Sequence, residues 1–136
     1  MLSDGGRVPG RNRHLLYLDD EEMLVDLVRA KLESLGYRIT GYTKATEALD
    51  AIRADPTGFD VVVTDYNMPG LSGLEVAQSV ARIRADLPVV LVSGYLSPAT
   101  QAAALTAKVT EIVYKPTLLQ QLGDAIARVF DKLNQK

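Results

Sequence analysis

The chain has 136 residues, 47% hydrophobic and 24% charged, which suits one domain with a proper core. Its 15 basic and 17 acidic residues are well mixed and leave a net charge of −2, which excludes a dedicated nucleic-acid surface with a basic stripe. There is no cysteine, so disulfides and thiolate metal sites are excluded; with no apolar run of bilayer length, direct membrane insertion is not expected and a cytoplasmic setting is.

Residues 1–12, MLSDGGRVPGRN, are rich in Gly, Pro and Arg and read as a flexible linker or tail, leaving 13–136 for the domain. His14 to Leu18 is a short apolar run that ends at Asp19-Asp20. A helix follows, its stripe read as Leu24, Leu27, Val28, Lys31, Leu32 and Leu35, with Gly36 placed for a left-handed cap. Tyr37 to Tyr42 reads as a second strand. Lys44 to Ala54 is helical, with Ala45, Ala48, Leu49 and Ile52 inward, and Pro56-Thr57-Gly58 breaks it. Phe59 to Thr64 is a continuous β-branched run, the mark of a strand buried on both faces. Ser72-Gly73-Leu74-Glu75 forms an S-x-x-E capping box that opens a third helix. Pro88 to Val92 is another buried strand, and Ser97-Pro98 supplies the cap and first residue of an alanine-rich helix. Thr110 to Tyr114 is the fifth strand. Thr117 caps a last helix with Leu118, Leu122, Ile126, Val129 and Leu133 along one side. Leu119 and Phe130 lie off that side and are left for a weak homodimer or a kinase surface.

Five strand–helix units imply an α/β fold, a flavodoxin-like doubly wound (βα)5 three-layer sandwich with parallel sheet order 2-1-3-4-5. Ligands bind such sheets at the carboxyl ends of the strands. Those ends carry Asp19 and Asp20 after strand 1, Asp65 after strand 3, Ser93 after strand 4 and Lys115 after strand 5. Carboxylates about 4 Å apart repel by roughly 4 kcal/mol at an effective dielectric near 20, so a cation must offset them. With no Cys or His nearby, a hard ion such as Mg2+ fits, and Lys115 adds a fixed positive charge. Asp65 can then be the nucleophile of a phosphoryl transfer, with Lys115 and the Ser93 hydroxyl on phosphoryl oxygens.

The blocks Asp19-Asp20-Glu21, Asp65-Tyr66-Asn67-Met68-Pro69-Gly70 with Gly73, Ser93-Gly94 and Lys115-Pro116 resemble the four signature blocks of response-regulator receiver domains. The resemblance runs from Arg13 to the C-terminus. It implies Asp65 as phosphoacceptor, Asp20 as a direct Mg2+ ligand, Asp19 as a helper through water, and the backbone carbonyl of Asn67 as a further ligand. It implies Ser93 as a switch hydroxyl, Gly94 as a small neighbour that leaves access, and Lys115 as the phosphoryl clamp, aimed by a cis bond to Pro116. The phosphoryl group would come from a phosphohistidine on a sensor histidine kinase or histidine phosphotransfer domain.

Two positions depart from the family. Ile112 stands where a switching Tyr or Phe is frequent, with Tyr114 expected to point away from Lys115, and Ala107-Lys108 replaces a Gly-Ala turn, so that loop is expected to be built differently. The lead-in to LDDEE, with LVSGY and VTEIVYKP, is similar to receivers at the C-terminal end of hybrid sensor histidine kinases; a stand-alone regulator is the alternative. Two rival functions exist. A dehalogenase-type phosphatase would place a second Asp where Asn67 stands; a phosphorylation-independent scaffold would tend to lose the acidic pair, the acceptor or the lysine. His14, the only histidine, reads as an incidental strand-start residue, and Tyr66 and Tyr95 flank the site.

Overall fold

The computed structural model describes residues 13–115 and 118–134. The expected linker over 1–12, the Lys115–Pro116 bond and the Thr117 cap lie outside them.

Each apolar run is a strand: β1 His14–Leu18, β2 Arg38–Tyr42, β3 Val61–Asp65, β4 Val89–Ser93 and β5 Glu111–Tyr114. The helices between and after them are α1 Glu22–Ser34, α2 Ala45–Ala54, α3 Gly73–Ile83, α4 Pro98–Thr106 and α5 Leu118–Asn134. All strand pairs are parallel, as the alternation of strands and helices implies, and their order is β2-β1-β3-β4-β5. Every residue of β3 and β4 is buried, because helices cover both faces of the sheet. On one face Leu15, Tyr17, Val61, Val63 and Val113 pack with α1 and α5. On the other Leu16, Leu18, Val62, Val89 and Leu91 pack with α2, α3 and α4. Among the described residues no helix is long and apolar enough to cross a membrane.

Local chemistry sets where helices start and stop. The Ser72 side chain accepts from the Glu75 N–H while the Glu75 carboxylate accepts from the Ser72 N–H, the reciprocal box expected at α3. At α4 the Ser97 side chain accepts from the Thr100 N–H, without the reciprocal bond, and Pro98 sits in the first turn. After α1, Gly36 takes φ +98°, and the Gly36 and Tyr37 N–H groups close back on the Glu33 and Leu32 carbonyls. The Ala107-Lys108 loop uses the same closure, with Lys108 and Val109 donating to Leu105 and Ala104. The difference is that Lys108 itself adopts φ +67°, which glycine would do without strain.

Three inward assignments move. Leu27 is 54% exposed, and the buried stripe of α1 is Val25, Val28 and Leu32, one helical step around. Leu133 is 38% exposed near the end of α5. Phe130, expected at the edge of the helix face, is buried, stacks on Tyr37 at 6.0 Å and lies under the Arg13 guanidinium at 4.5 Å. It is part of the core and not a free contact surface. The side chain of Leu119 lies outside the described residues.

His14 ties the lower edge of the sheet together. Its ring nitrogens reach the Gly58 carbonyl at 2.9 Å and the Thr40 hydroxyl at 2.7 Å, and its N–H donates to Asp60.

Candidate functional site: an acidic cluster with one lysine

The site follows from register. β1 and β3 run in parallel from Leu15–Val61 to Leu18–Thr64, so Asp19 and Asp65 come one residue beyond the last pair. Side chains alternate along a strand, which puts both on the face of Tyr17 and Val63. Lys115 follows β5 on the same side as Val113, two residues after it. Its Nζ lies 3.1 Å from Asp65 Oδ1 and 3.9 Å from Asp19 Oδ2.

Asp20 completes the group: each of Asp19, Asp20 and Asp65 offers an oxygen within 4.8 Å of the others. Asp19 and Asp65 are buried, whereas Asp20 is exposed at the mouth. One ammonium among three carboxylates leaves an excess of negative charge in a desolvated place. Burial, and then the charge of Asp19, push the Asp65 carboxyl up to about 6 against the pull of Lys115. Burial also raises Asp19, opposed by its bond from Glu21 and by Lys115. For Lys115, burial works against the charge, but the hydrogen bond to Asp65 and the charges of Asp65 and Asp19 outweigh it and raise its pKa. The donors are all oxygens and the excess charge is unbalanced, so the cluster fits a hard divalent cation.

Two further residues hold this geometry, and the sequence reading missed what they do. Asp19 is fixed at both oxygens: Oδ1 accepts from the Glu21 N–H at 2.9 Å and Oδ2 from the Tyr17 hydroxyl at 3.2 Å. The phenol is fully buried; burial and then the Asp19 charge raise its pKa, so it stays an O–H donor. The available signal was its position two residues before Asp19 on one strand face. Gly73 is the second. A Cβ there would sit 2.4 Å from the Asp65 carbonyl oxygen, 2.7 Å from Leu91 Cδ1 and 2.9 Å from Tyr66 Cα. The signal was a glycine inside a capping box, where nearly any other residue forms a helix better.

The other expected residues are placed as follows. Ser93 is buried at the end of β4, and its hydroxyl donates to the Tyr95 carbonyl at 3.0 Å and accepts from the Tyr95 N–H at 3.2 Å. Among the described contacts it touches no carboxylate of the cluster. Asn67 is exposed in the loop after Asp65, and a Cβ on Gly94 would meet nothing within 4 Å, so packing does not require glycine there. Ile112 pairs with Leu91 and packs, half-buried, against the α2–α3–α4 face of the sheet. Tyr114 is 37% exposed on the alternate side of β5 from Val113. Tyr66 packs against the core below α3, and Tyr95 is largely exposed. A mostly apolar cavity of about 510 Å³ opens beside Asp20, between Thr43–Thr46 and Met68–Leu71.

Comparison with known proteins agrees with this geometry. Residues 15–127 match the response regulator receiver domain family. The uncharacterized transcriptional regulatory protein YkoG of Bacillus subtilis is 33% identical over 122 residues, covering 90% of this chain and 51% of that protein. The chain spans about half the length, or less, of curated relatives it matches. A response regulator receiver domain protein from Clostridium thermocellum superposes with a TM-score of 0.84 at 25% identity, covering 90% of this chain and 98% of that one. The response regulator TrrA of Thermotoga maritima, solved in complex with Mg2+-BeF, superposes with a TM-score of 0.75 at 28% identity, covering 85% and 97%.

Proposed function

The chain belongs to the response regulator receiver domain family of two-component signalling, and from that premise we propose that Asp65 is its phosphoacceptor, in a Mg2+-dependent reaction. The observation that carries this is the Lys115 ammonium 3.1 Å from Asp65 inside a cluster of three carboxylates.

Asp20, Asp65 and the Asn67 carbonyl would hold Mg2+, with Asp19 acting through water. Bound there, Mg2+ would supply positive charge that offsets the carboxylates and the phosphoryl oxygens. An Asp65 oxygen donates its electron pair to the phosphorus of a phosphohistidine, and the P–O bond forms as the P–N bond breaks. The imidazole nitrogen leaves with the electron pair of the P–N bond and takes up a proton. Lys115 turns from the free carboxylate to a phosphoryl oxygen, and Ser93 rotates away from Tyr95 to another; Gly94 leaves the approach open. Later attack by water returns the free carboxylate. The domain thus catalyses its own phosphorylation and dephosphorylation, with no turnover of an external substrate.

The donor is a sensor histidine kinase or a histidine phosphotransfer domain, met in the cytoplasm. The receiver begins near Arg13 and resembles receivers at the C-terminal end of hybrid sensor histidine kinases, with a stand-alone regulator as the alternative. The half-buried Ile112 packs without an aromatic ring to swing at that position.

Incubation with acetyl phosphate and Mg2+, followed by intact mass, tests the reading. One phosphoryl adduct that disappears in Asp65→Asn is expected; no adduct, or one that survives the substitution, would overturn it.

A further inference from the structure

We propose that Tyr17 is a positioning residue of the site, its hydroxyl holding the Asp19 carboxylate toward the cation the cluster binds. This rests on the Mg2+ reading above.

Leu15, Tyr17 and Asp19 share one face of β1 and its extension, and alternate residues on a strand lie about 6.6 Å apart. A phenol leaning along the strand reaches that far, and its oxygen lies 3.2 Å from Asp19 Oδ2. The rest of the strand, Leu15, Leu16 and Leu18, is aliphatic and fully buried. A leucine at position 17 would fill the same layer without a hydroxyl to satisfy. Burying a hydroxyl with no partner is costly, and Asp19 is the partner that removes this penalty.

The bond also completes a grip that no other described residue supplies. The Glu21 N–H fixes Oδ1 from the exposed side, and Tyr17 fixes Oδ2 from inside the core. Lys115 also faces Oδ2, but at 3.9 Å, and leans to Asp65 at 3.1 Å. Without the phenol, Oδ2 keeps, among the described residues, only the distant ammonium, and the carboxylate can turn about its Cβ–Cγ bond. Outer partners of this kind set ligand orientation and typically change metal affinity about 10-fold or more.

Calorimetric titration of Mg2+ into the whole chain tests this with wild type, Tyr17→Phe, Asp19→Ala and the double variant. Circular dichroism checks that each keeps its fold. Tyr17→Phe removes one oxygen and is expected to weaken Mg2+ about 10-fold. The half-saturating Mg2+ for labelling by acetyl phosphate should rise alike, with the rate at saturating Mg2+ within about twofold of wild type, as for a residue acting only on affinity. In the Asp19→Ala background the same change should have no further effect, as a positioning role requires. Unchanged affinity in Tyr17→Phe, or an equal loss with Asp19 absent, would overturn the proposal. Wild type failing to bind Mg2+ would instead overturn the reading of the site, and this inference with it.

Discussion

Asp65 is an acid raised to about 6 and Asp19 another raised by burial, and in unfolded chains both return to the ordinary carboxylate range. A raised acid binds its proton more tightly when folded. Its contribution to stability is therefore full below the unfolded value and is lost as pH rises through the folded one. Metal-free protein should gain about 1–3 kcal/mol as pH falls from about 8 to about 5, read by urea unfolding in the presence of a chelator. Asp65→Asn should be more stable than wild type at the upper pH and show a flatter pH profile; a profile as steep as wild type would place the strain elsewhere. At this scale the sequence was informative where a residue type is unusual for its place. Four carboxylate and ammonium groups at strand ends stand out against valine runs. Tyr17 did not, because an aromatic residue in a buried strand looks like packing, and only the coordinates show where its hydroxyl points. Ser93 was legible as a site residue, but its resting bond to Tyr95 was not, since a hydroxyl rotates to whichever partner its backbone brings near.

Between elements, the decisive contact is the start of α3 against the end of β3. Gly73 lets the helix approach until only a hydrogen atom fits between it and the Asp65 carbonyl. The Gly73 N–H then donates to the Tyr66 carbonyl at 2.9 Å, binding the acceptor loop to the helix. Gly73→Ala forces backbone to move; it should cost about 1–3 kcal/mol in thermal or urea unfolding and also slow labelling of Asp65 by acetyl phosphate. A variant that lost stability but labelled at the wild-type rate would uncouple the helix from the site. Element types and order were legible from period and caps. Boundaries moved by one or two residues, as hydrogen bonding rather than hydrophobicity sets the last residue of a strand. Leu27 was misplaced because α1 carries apolar residues at seven of its thirteen positions, on more than one face, and the stripe that wins is the one the sheet covers. Lys108 was noticed as a departure, but its positive φ follows from the closure of α4, which the sequence does not display.

For the molecule as a whole, the sheet order brings β1 and β3 side by side and so gathers the acidic residues at one end. The order itself was legible only by analogy with five-unit sheets, since periodicity gives strands and not neighbours. Folding concentrates like charge that the unfolded chain keeps apart, so a ligand that binds only the folded cluster should stabilise it. Saturating Mg2+ should raise the melting temperature by several degrees near neutral pH, and chelation should reverse this. The gain should shrink as pH falls and protons replace the ion. A gain independent of pH would mean that the ion binds outside the cluster.

The Ser93 hydroxyl grips both polar groups of the Tyr95 backbone, accepting from its N–H and donating to its carbonyl. If that hydroxyl turns to a phosphoryl group, the Tyr95 amide proton loses its acceptor on an exposed loop and becomes free to trade with water. Isotope exchange at this one amide then reports the state of Asp65. Deuterium uptake at Tyr95 should quicken on phosphorylation and slow again as the phosphoryl group is lost; an unchanged rate would mean that Ser93 stays where it rests.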